Sequence, residues 1–385
     1  MTRTSTVAIV RSDNRRGAVA EALALIADDI RAKVTPEVLI KANLVSHQRQ
    51  LPSTHADTLS ATLDSLFGSG ACRVVVAEGA SDASAGFDRF GFRRETFGRP
   101  VDYFDINRQE TEWERLELTG VDGATRQARV SSTIVHSSCR VSLALMKTHV
   151  TSMVTFSLKN MLSSIHPDDR IMMHGHAGGG NGYRGWKRMI VEFLKGDSTL
   201  VNGLTRSLGR VRRLQAVLKG KNRPDAWRNL TPAELGYLRS VEAMNRNLVA
   251  LSALVKPQIS VVDGFVAMHR EGPRHGTPIK LGTIVAGTDP VAVDAVAAAV
   301  MGFDPLRIGY LKYAQEAGLG SADPAAISLV GDPLSEVRRA CVPHSNHAIQ
   351  RHWSRLPELT APTRHESAIP SPHSPRVRNS EAARR

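Results

Sequence analysis

Short apolar runs alternate with amphipathic segments along the N-terminal part of the chain, and no other property of the sequence restricts the fold as strongly. Apolar runs lie at 7–10, 38–40 and 73–77, and the intervening residues 16–32 and 56–69 have the apolar spacing of helices. Because a helix between two such runs returns the chain to start a neighbouring parallel strand, the pattern is typical of βαβ units. It predicts an α/β fold with a mainly parallel, doubly wound sheet and helices on both faces.

The same alternation resumes after residue 130. Strands are predicted at 133–135, 140–146, 259–264, 283–286 and 327–331, and helices at 150–162, 198–218, 231–254 and 291–301. We therefore expect residues 1–183 to form the first part of the α/β core, with a His- and Gly-rich loop at 166–185, and residues 256–341 to form the second part. Residues 186–255 are predicted to be a basic helical insertion. Residues 342–385, rich in Pro, Ser, His and Arg, are predicted to be a disordered tail.

The net charge of the 385-residue chain is +13, and it is unevenly distributed. Residues 184–246 carry +9 and residues 342–385 carry +4, so the remaining sequence is neutral. The basic segment 184–246 suggests contact with nucleic acid or another anionic surface, because clustered Lys and Arg attract polyanions. The simpler alternative is a solvated basic surface, since Arg-rich composition also follows from coding bias.

Cysteine spacing and the apolar runs of the sequence bear on the class of protein. Cys72, Cys139 and Cys341 are far apart and form no CxxC pair, so neither a disulfide framework nor a clustered zinc site is expected. The N-terminus lacks the pattern of a signal peptide, and no apolar run is long enough to span a bilayer. A cytoplasmic location is the default expectation.

Polar side chains follow several predicted strands at their carboxyl ends, where open α/β sheets bind ligands. Lys41 and Asn43 follow the second strand, Glu78 the third, and Asp263 ends a later one, which makes them candidate substrate-binding residues. Lys147 and His149 end the strand at 140–146 and are candidate catalytic residues, because a desolvated lysine can act as a base or nucleophile and a histidine can transfer protons. The alternative is a structural role in ending the strand.

A second pair of polar residues comes shortly after. A second lysine, Lys159, would make an anion site with Lys147 and lower its pKa by repulsion, and Asn160 beside it is a further candidate substrate-binding residue. Lys159 is therefore a third candidate catalytic residue, unless Lys159 and Asn160 only end a helix.

The loop at 166–185 contains candidate metal ligands. His166, Asp168, His174 and His176 are residue types that bind zinc, iron or nickel, although their spacing lacks the definition of an HExxH motif. A divalent metal is therefore one cofactor expectation, with a metal-free polar loop or lid as the alternative. No complete GxGxxG and no Walker A motif occurs, so nucleotide binding is not supported.

A series of short motifs in fixed order resembles the domain-of-unknown-function 362 family over roughly residues 35–333. The motifs include Lys41-Ala42-Asn43, Met146-Lys147-Thr148-His149, Ser157-Leu158-Lys159-Asn160, Val262-Asp263-Gly264 and Gly287-Thr288-Asp289-Pro290. The resemblance implies an α/β domain. Many members of that family carry a four-cysteine iron–sulfur segment, but this chain has no CxxCxxC run, so an iron–sulfur cluster is not expected.

Three functions are consistent with these residues. The first is an enzyme that acts on a small anionic metabolite, a carboxylate or a phosphate, by proton abstraction of the isomerase or lyase kind, with or without a metal. The second is a nucleic-acid or anionic-surface binding protein that uses residues 184–246. The third is a non-catalytic carrier or partner protein. The sequence does not determine the oligomeric state.

Overall fold

The computed structural model describes residues 5–177 and 198–360, which contain a nine-stranded mixed sheet. Its strand order is β11-β1-β10-β9-β7-β2-β3-β4, and β8 pairs with β7. The strands span β1 Ser5–Arg11, β2 Glu37–Lys41, β3 Arg73–Glu78, β4 Val101–Asp105, β7 Arg140–His149, β8 Met153–Thr155, β9 Ile259–His269, β10 Thr277–Gly287 and β11 Ile327–Gly331. A separate antiparallel hairpin is formed by β5 Trp113–Thr119 and β6 Thr125–Ser131.

Most neighbouring strands of the sheet are parallel. β9, β7, β2, β3 and β4 run in one direction side by side, and β1 is parallel to β11. β10 is antiparallel to both of its neighbours, and β8 folds back antiparallel on the end of β7. The predicted α/β class with a mostly parallel sheet is confirmed, and the parallel group brings the carboxyl ends of β7, β2 and β3 to one edge.

Helices cover both faces of the sheet and enclose two apolar clusters. One cluster includes Val19, Leu59 and Leu63 with the alternate strand residues Ile40 and Val76. The other lies on the opposite face and includes residues of the long helix Pro232–Val255 and of Pro290–Val300. The longer helices are Arg15–Ala24, Ala56–Gly68, Ala83–Arg89, Thr199–Leu218, Pro232–Val255, Pro290–Val300 and Gly309–Glu316, and the shorter ones are Ala27–Arg31, Phe92–Glu95, Ile106–Gln109, Ser132–Val135, Ser157–Asn160, Leu334–Val337, His347–Gln350 and Leu356–Thr360. This double cover explains why the strand sequences are apolar on both faces.

Two local predictions are wrong. The strand expected at 133–135 is instead the short helix Ser132–Val135, because the Ser131 hydroxyl accepts the backbone N–H of Ile134 and caps it. The helix expected at 150–162 is instead β8 followed by the short helix Ser157–Asn160 and a 3-10 turn at Met161–Ser164.

Two boundaries of the predicted organisation also change. The helix Pro232–Val255 belongs to the core rather than to an accessory insertion, since Leu238, Met244 and Leu251 on it are fully buried in the larger cluster. Residues 342–360, assigned from sequence to a disordered tail, are folded against the core: Trp353 is buried and its indole donates to the carbonyl of Arg307. The remainder of that segment, 361–385, and the loop residues 178–185 lie outside the described residues. In the described ranges we find no helix long and apolar enough to cross a bilayer.

Candidate functional site

Lys41 and Glu78 meet at the edge where β2 and β3 end. The Lys41 Nζ donates to Glu78 Oε1 at 2.7 Å, and both side chains are completely buried. Burial lowers the pKa of Lys41 even though Glu78 raises it, whereas the pKa of Glu78 is lowered because Lys41 and hydrogen bonds outweigh the effect of burial. Glu78 also accepts the backbone N–H of Leu44 at 2.6 Å and the Ser163 hydroxyl at 2.6 Å. The pair therefore holds the loops after β2 and β3 together.

Lys147, Asn43 and Asn160 form a buried hydrogen-bonded chain next to this pair. The Lys147 Nζ donates to Asn43 Oδ1 at 2.7 Å and to the Pro52 carbonyl at 2.9 Å. The Asn43 amide then donates to Asn160 Oδ1 at 2.8 Å, and the Asn160 amide donates to the Lys41 carbonyl at 2.9 Å. Burial, and then the charge of Lys159, lowers the pKa of Lys147 to about 7. Lys147 is thus a positioned amine that is partly neutral at physiological pH.

Lys159 differs from the other buried lysines of the site. Its side chain is 8% exposed, and within residues 5–177 and 198–360 it has no hydrogen-bond or ion-pair partner. Burial lowers its pKa to about 8. An unpaired buried ammonium is costly, so this position favours either the neutral amine or a bound anion.

The short helix that carries Lys159 is fixed by a residue far away in the sequence. Asp294 Oδ1 accepts the backbone N–H of Ser157 at 2.8 Å, and Asp294 Oδ2 accepts that of Leu158 at 3.1 Å. The Tyr310 hydroxyl donates to the same carboxyl group at 3.3 Å, and burial raises the pKa of Asp294 to about 8. Asp294 thus satisfies the first N–H groups of the helix, the role of an N-cap supplied from another element.

His149 presents a neutral imidazole at the end of β7. Its Nδ1 accepts the backbone N–H groups of Thr151 at 3.0 Å and Ser152 at 3.3 Å, which places the ring proton on Nε2. Burial, and then the charge of Lys159, lowers the pKa of His149 well below its ordinary value. His149 can therefore donate a hydrogen bond through Nε2 without carrying charge.

Asp263, His166 and Asp168 make their contacts away from the buried lysines. Asp263 accepts the Thr58 hydroxyl at 2.6 Å and lies 3.2 Å from the Arg15 guanidinium, so its carboxyl group is engaged with the helices Arg15–Ala24 and Ala56–Gly68 rather than with the two lysines. His166 packs edge-on against Trp113, and its Nδ1 lies 3.8 Å from Asp168, which is exposed.

The four proposed metal ligands do not make a site together. Among the residues the structure describes, no group of three or more His, Cys, Asp or Glu side chains is arranged to hold a metal ion. His174 instead lies within the electrostatic influence of Lys159: burial, and then the charge of Lys159, lowers the pKa of His174 to about 3. His176 is exposed.

Two contributors to the site have no clear sequence signal. The Pro52 carbonyl, an acceptor for Lys147, lies in an irregular segment. His344 affects the pKa of His149 and lies 3.3 Å from Glu271, yet it comes from the segment predicted to be disordered. Asp294 did have a signal, since an acid in an Ala-rich helix requires a partner when buried.

Comparison with known proteins places this site within a family. The model of the family described as domain of unknown function (DUF362) matches residues 38–299, which include the three buried lysines Lys41, Lys147 and Lys159. The chain belongs to this family. The match extends from β2 to the end of the helix that carries Asp294, so the DUF362 domain includes both the lysines and the residue that fixes Lys159.

Individual relatives are distant. The thylakoid-associated protein sll1697 of Synechocystis sp. (strain ATCC 27184 / PCC 6803 / Kazusa) is 29% identical over 159 residues, which is 41% of this chain and 43% of that protein. This chain thus matches less than half the length of that relative. Among solved structures, the lactate racemase apoprotein from Thermoanaerobacterium thermosaccharolyticum has a TM-score of 0.41 and 13% identity, over 77% of this chain and 57% of that one. A structural-genomics target from Thermotoga maritima has a TM-score of 0.39 and 10% identity, over 73% and 57%.

Proposed function

We propose that this DUF362 protein is an enzyme that removes a proton from a small anionic metabolite, a carboxylate or a phosphate, and returns it in an isomerase- or lyase-type reaction. The observation that carries the proposal is Lys159, a buried amine without a partner in the described residues, whose charge acts on the positioned amine of Lys147. An anion is the ligand that such a pair would bind most strongly, because it neutralises charge that the protein leaves uncompensated.

One of the two lysines can bind the anionic group while the other transfers the proton. With pKa values of about 7 and about 8, Lys147 and Lys159 are each split between the charged and neutral forms near neutral pH. A charged amine would hold the anionic group, and a neutral amine would take the proton from the adjacent carbon, since a base is most effective when its pKa lies near the working pH. Mutual repulsion favours a state in which only one of the two is protonated.

His149 supplies the complementary group. As the proton leaves carbon, negative charge develops on the neighbouring oxygen of the substrate, and a neutral imidazole can donate its Nε2 proton in a hydrogen bond to that oxygen. In an isomerase-type reaction that lysine then delivers the proton to the neighbouring carbon of the substrate, and in a lyase-type reaction a leaving group departs from that carbon with the electron pair and takes up a proton, so protons and electrons balance without an added oxidant or reductant. Asn43 and Asn160 act as positioning residues, because they hold Lys147 rather than the substrate.

Isotope exchange tests the proposal without knowledge of the physiological substrate. The full chain is incubated in D2O with a panel of small 2-hydroxy acids, 2-oxo acids and phosphate esters, with and without added chelator, and loss of the proton next to the anionic group is followed by NMR. We expect exchange with at least one class of compound, and a fall of about a hundredfold or more in Lys159→Ala, the scale of a lost general base.

Matched controls separate chemistry from folding. Lys312→Ala removes a half-exposed lysine outside the site and should exchange as fast as the wild type. The melting temperature of Lys159→Ala should show a folded protein, because the loss of an unpaired charge offsets the packing that is lost with the side chain. Binding of a panel compound without any exchange would argue for a carrier, and equal exchange in Lys159→Ala and the wild type would refute the assignment.

A further inference from the structure

The helix Thr199–Leu218 packs against the protein with its polar face, the reverse of the usual arrangement of an amphipathic surface helix. The Arg206 guanidinium donates to the carbonyls of His275 at 3.1 Å and Gly276 at 2.9 Å, and Arg213 lies 2.7 Å from the buried Glu271. Gly209 lies between them, and a Cβ at that position would come within 2.3 Å of the Glu271 carboxyl group. The orientation of the helix is therefore fixed by buried polar contacts.

The opposite face of this helix is an apolar stripe in solvent. We use "the stripe" for six side chains that are 43–76% exposed: Leu200, Leu204, Leu208, Val211, Leu214 and Leu218. Their spacing of three and four residues puts them on one side of the helix, within an arc of about 120° at 3.6 residues per turn. A contiguous exposed aliphatic surface of this kind is uncommon on a monomer and indicates a binding surface.

The surroundings of the stripe are basic. The helix contains no Asp or Glu, and the exposed Arg210 and Arg212 fall on opposite edges of the stripe at about 100° per residue. Beside it, a cavity of about 190 Å³ is lined by Arg212 and Lys219 together with Lys221, whose Nζ is paired with the Glu234 carboxylate at 2.8 Å. An apolar stripe with a cation on each edge is the pattern of a helix that lies in a membrane interface, with its leucines among acyl chains and its cations at the headgroups.

We propose that the face of the Thr199–Leu218 helix docks on an anionic lipid bilayer. An anionic bilayer satisfies the leucines and the arginines at once, because it has an apolar layer beneath negative headgroups. A nucleic acid would neutralise the arginines but leave the aliphatic stripe in water, and the stripe contains no aromatic side chain on which bases could stack. A second copy of the chain would cover the stripe but bring like-charged edges together. This proposal does not depend on the proposed enzymatic reaction.

Vesicle binding tests the proposal directly. The full chain is mixed with vesicles of phosphatidylcholine alone or with 30% phosphatidylglycerol, and the bound fraction is measured by flotation at low and high salt. We expect binding to the phosphatidylglycerol vesicles, and a roughly tenfold or greater loss in the variant Leu204→Ser/Leu208→Ser/Leu214→Ser, since three leucines then lose their transfer into the acyl layer.

A matched control and a charge variant complete the design. Phe97→Ser removes an apolar side chain that is 92% exposed elsewhere on the surface and should leave binding unchanged. Arg210→Glu/Arg212→Glu should abolish the preference for phosphatidylglycerol. All of these positions are exposed, so circular dichroism should show intact folds.

Three results would overturn the proposal. The first is no vesicle binding by the wild type. The second is equal binding by the triple-serine variant, which would place the lipid contact elsewhere on the chain. The third is a wild-type dimer in light scattering that the triple-serine variant converts to a monomer, because the stripe would then be a contact between two copies.

Discussion

Lys159→Met should stabilise the protein at low pH and have little effect at high pH. Methionine keeps most of the length and volume of the lysine side chain but removes the amine, which is buried and has no partner in the described residues. In the wild type, burial lowers the pKa of Lys159 from 10.5 to about 8. Protonation of Lys159 therefore costs free energy in the folded wild type, and the variant does not have this cost.

The size and sign of the effect follow from that pKa difference. Between pH 8 and pH 10.5 the unfolded chain keeps a proton that the folded chain has released, so the free energy of unfolding of the wild type rises with pH across this window. A shift of about 2.5 units corresponds to about 3 kcal/mol. Lys159→Met should thus be more stable than the wild type by that amount, less any loss of packing, at pH 7, and the difference should disappear near pH 10.5. Removal of Lys159 also raises the pKa of Lys147 in the folded state, which further increases the stability of the variant relative to the wild type at low pH.

Urea unfolding followed by circular dichroism at pH 6.5, 8 and 10 measures this difference. Lys312→Met is the control, because it makes the same change at a side chain that is 46% exposed and lies outside the site. A difference between Lys159→Met and the wild type that is the same at all three pH values would refute the reasoning. It would mean that Lys159 stays protonated in the folded chain.

Two further predictions concern stability. Glu78→Gln leaves the buried Lys41 ammonium without its carboxylate, so we expect the free energy of unfolding to fall by about 3–5 kcal/mol in urea titrations, and an unchanged midpoint would contradict the pairing. Trp353→Ala should cost about 3–5 kcal/mol because the indole fills the core, whereas the exposed control Arg355→Ala should be nearly neutral; equal midpoints would mean that residues 342–360 do not pack as described.

The strands that are buried on both faces were predictable from the sequence, and the polar ones were not. β2 and β3 consist largely of Val, Leu and Ile, so periodicity finds them. The β5–β6 hairpin contains exposed Arg, Glu, Gln and Thr at alternate positions, and its predominantly polar composition hides the alternation, while β4 is short and only partly buried. The apolar periodicity of residues 199–218 predicts the helix Thr199–Leu218, but it does not predict that the polar face of this helix packs against the protein.

The residues of the site were easier to predict from the sequence than the contacts between them. Strand ends in a parallel sheet meet at one edge, so Lys41, Asn43, Glu78 and Lys147 could be expected near one another. Which of them pair with each other depends on distances that a single sequence does not contain. Lys41 is paired with Glu78, whereas Lys159 has no partner among the described residues. The amine of Lys159 is therefore the one that can bind an anion or accept a proton.

The contact between Asp294 and the Ser157–Asn160 helix also has a consequence for biosynthesis. The two partners are 137 residues apart, so a nascent chain can already contain both lysines while the residue that fixes their geometry is still unmade. A four-residue helix has too few internal hydrogen bonds to persist without such support. The amines therefore acquire their final arrangement only after the ribosome has passed residue 294, and an N-terminal fragment that ends earlier should lack a competent site.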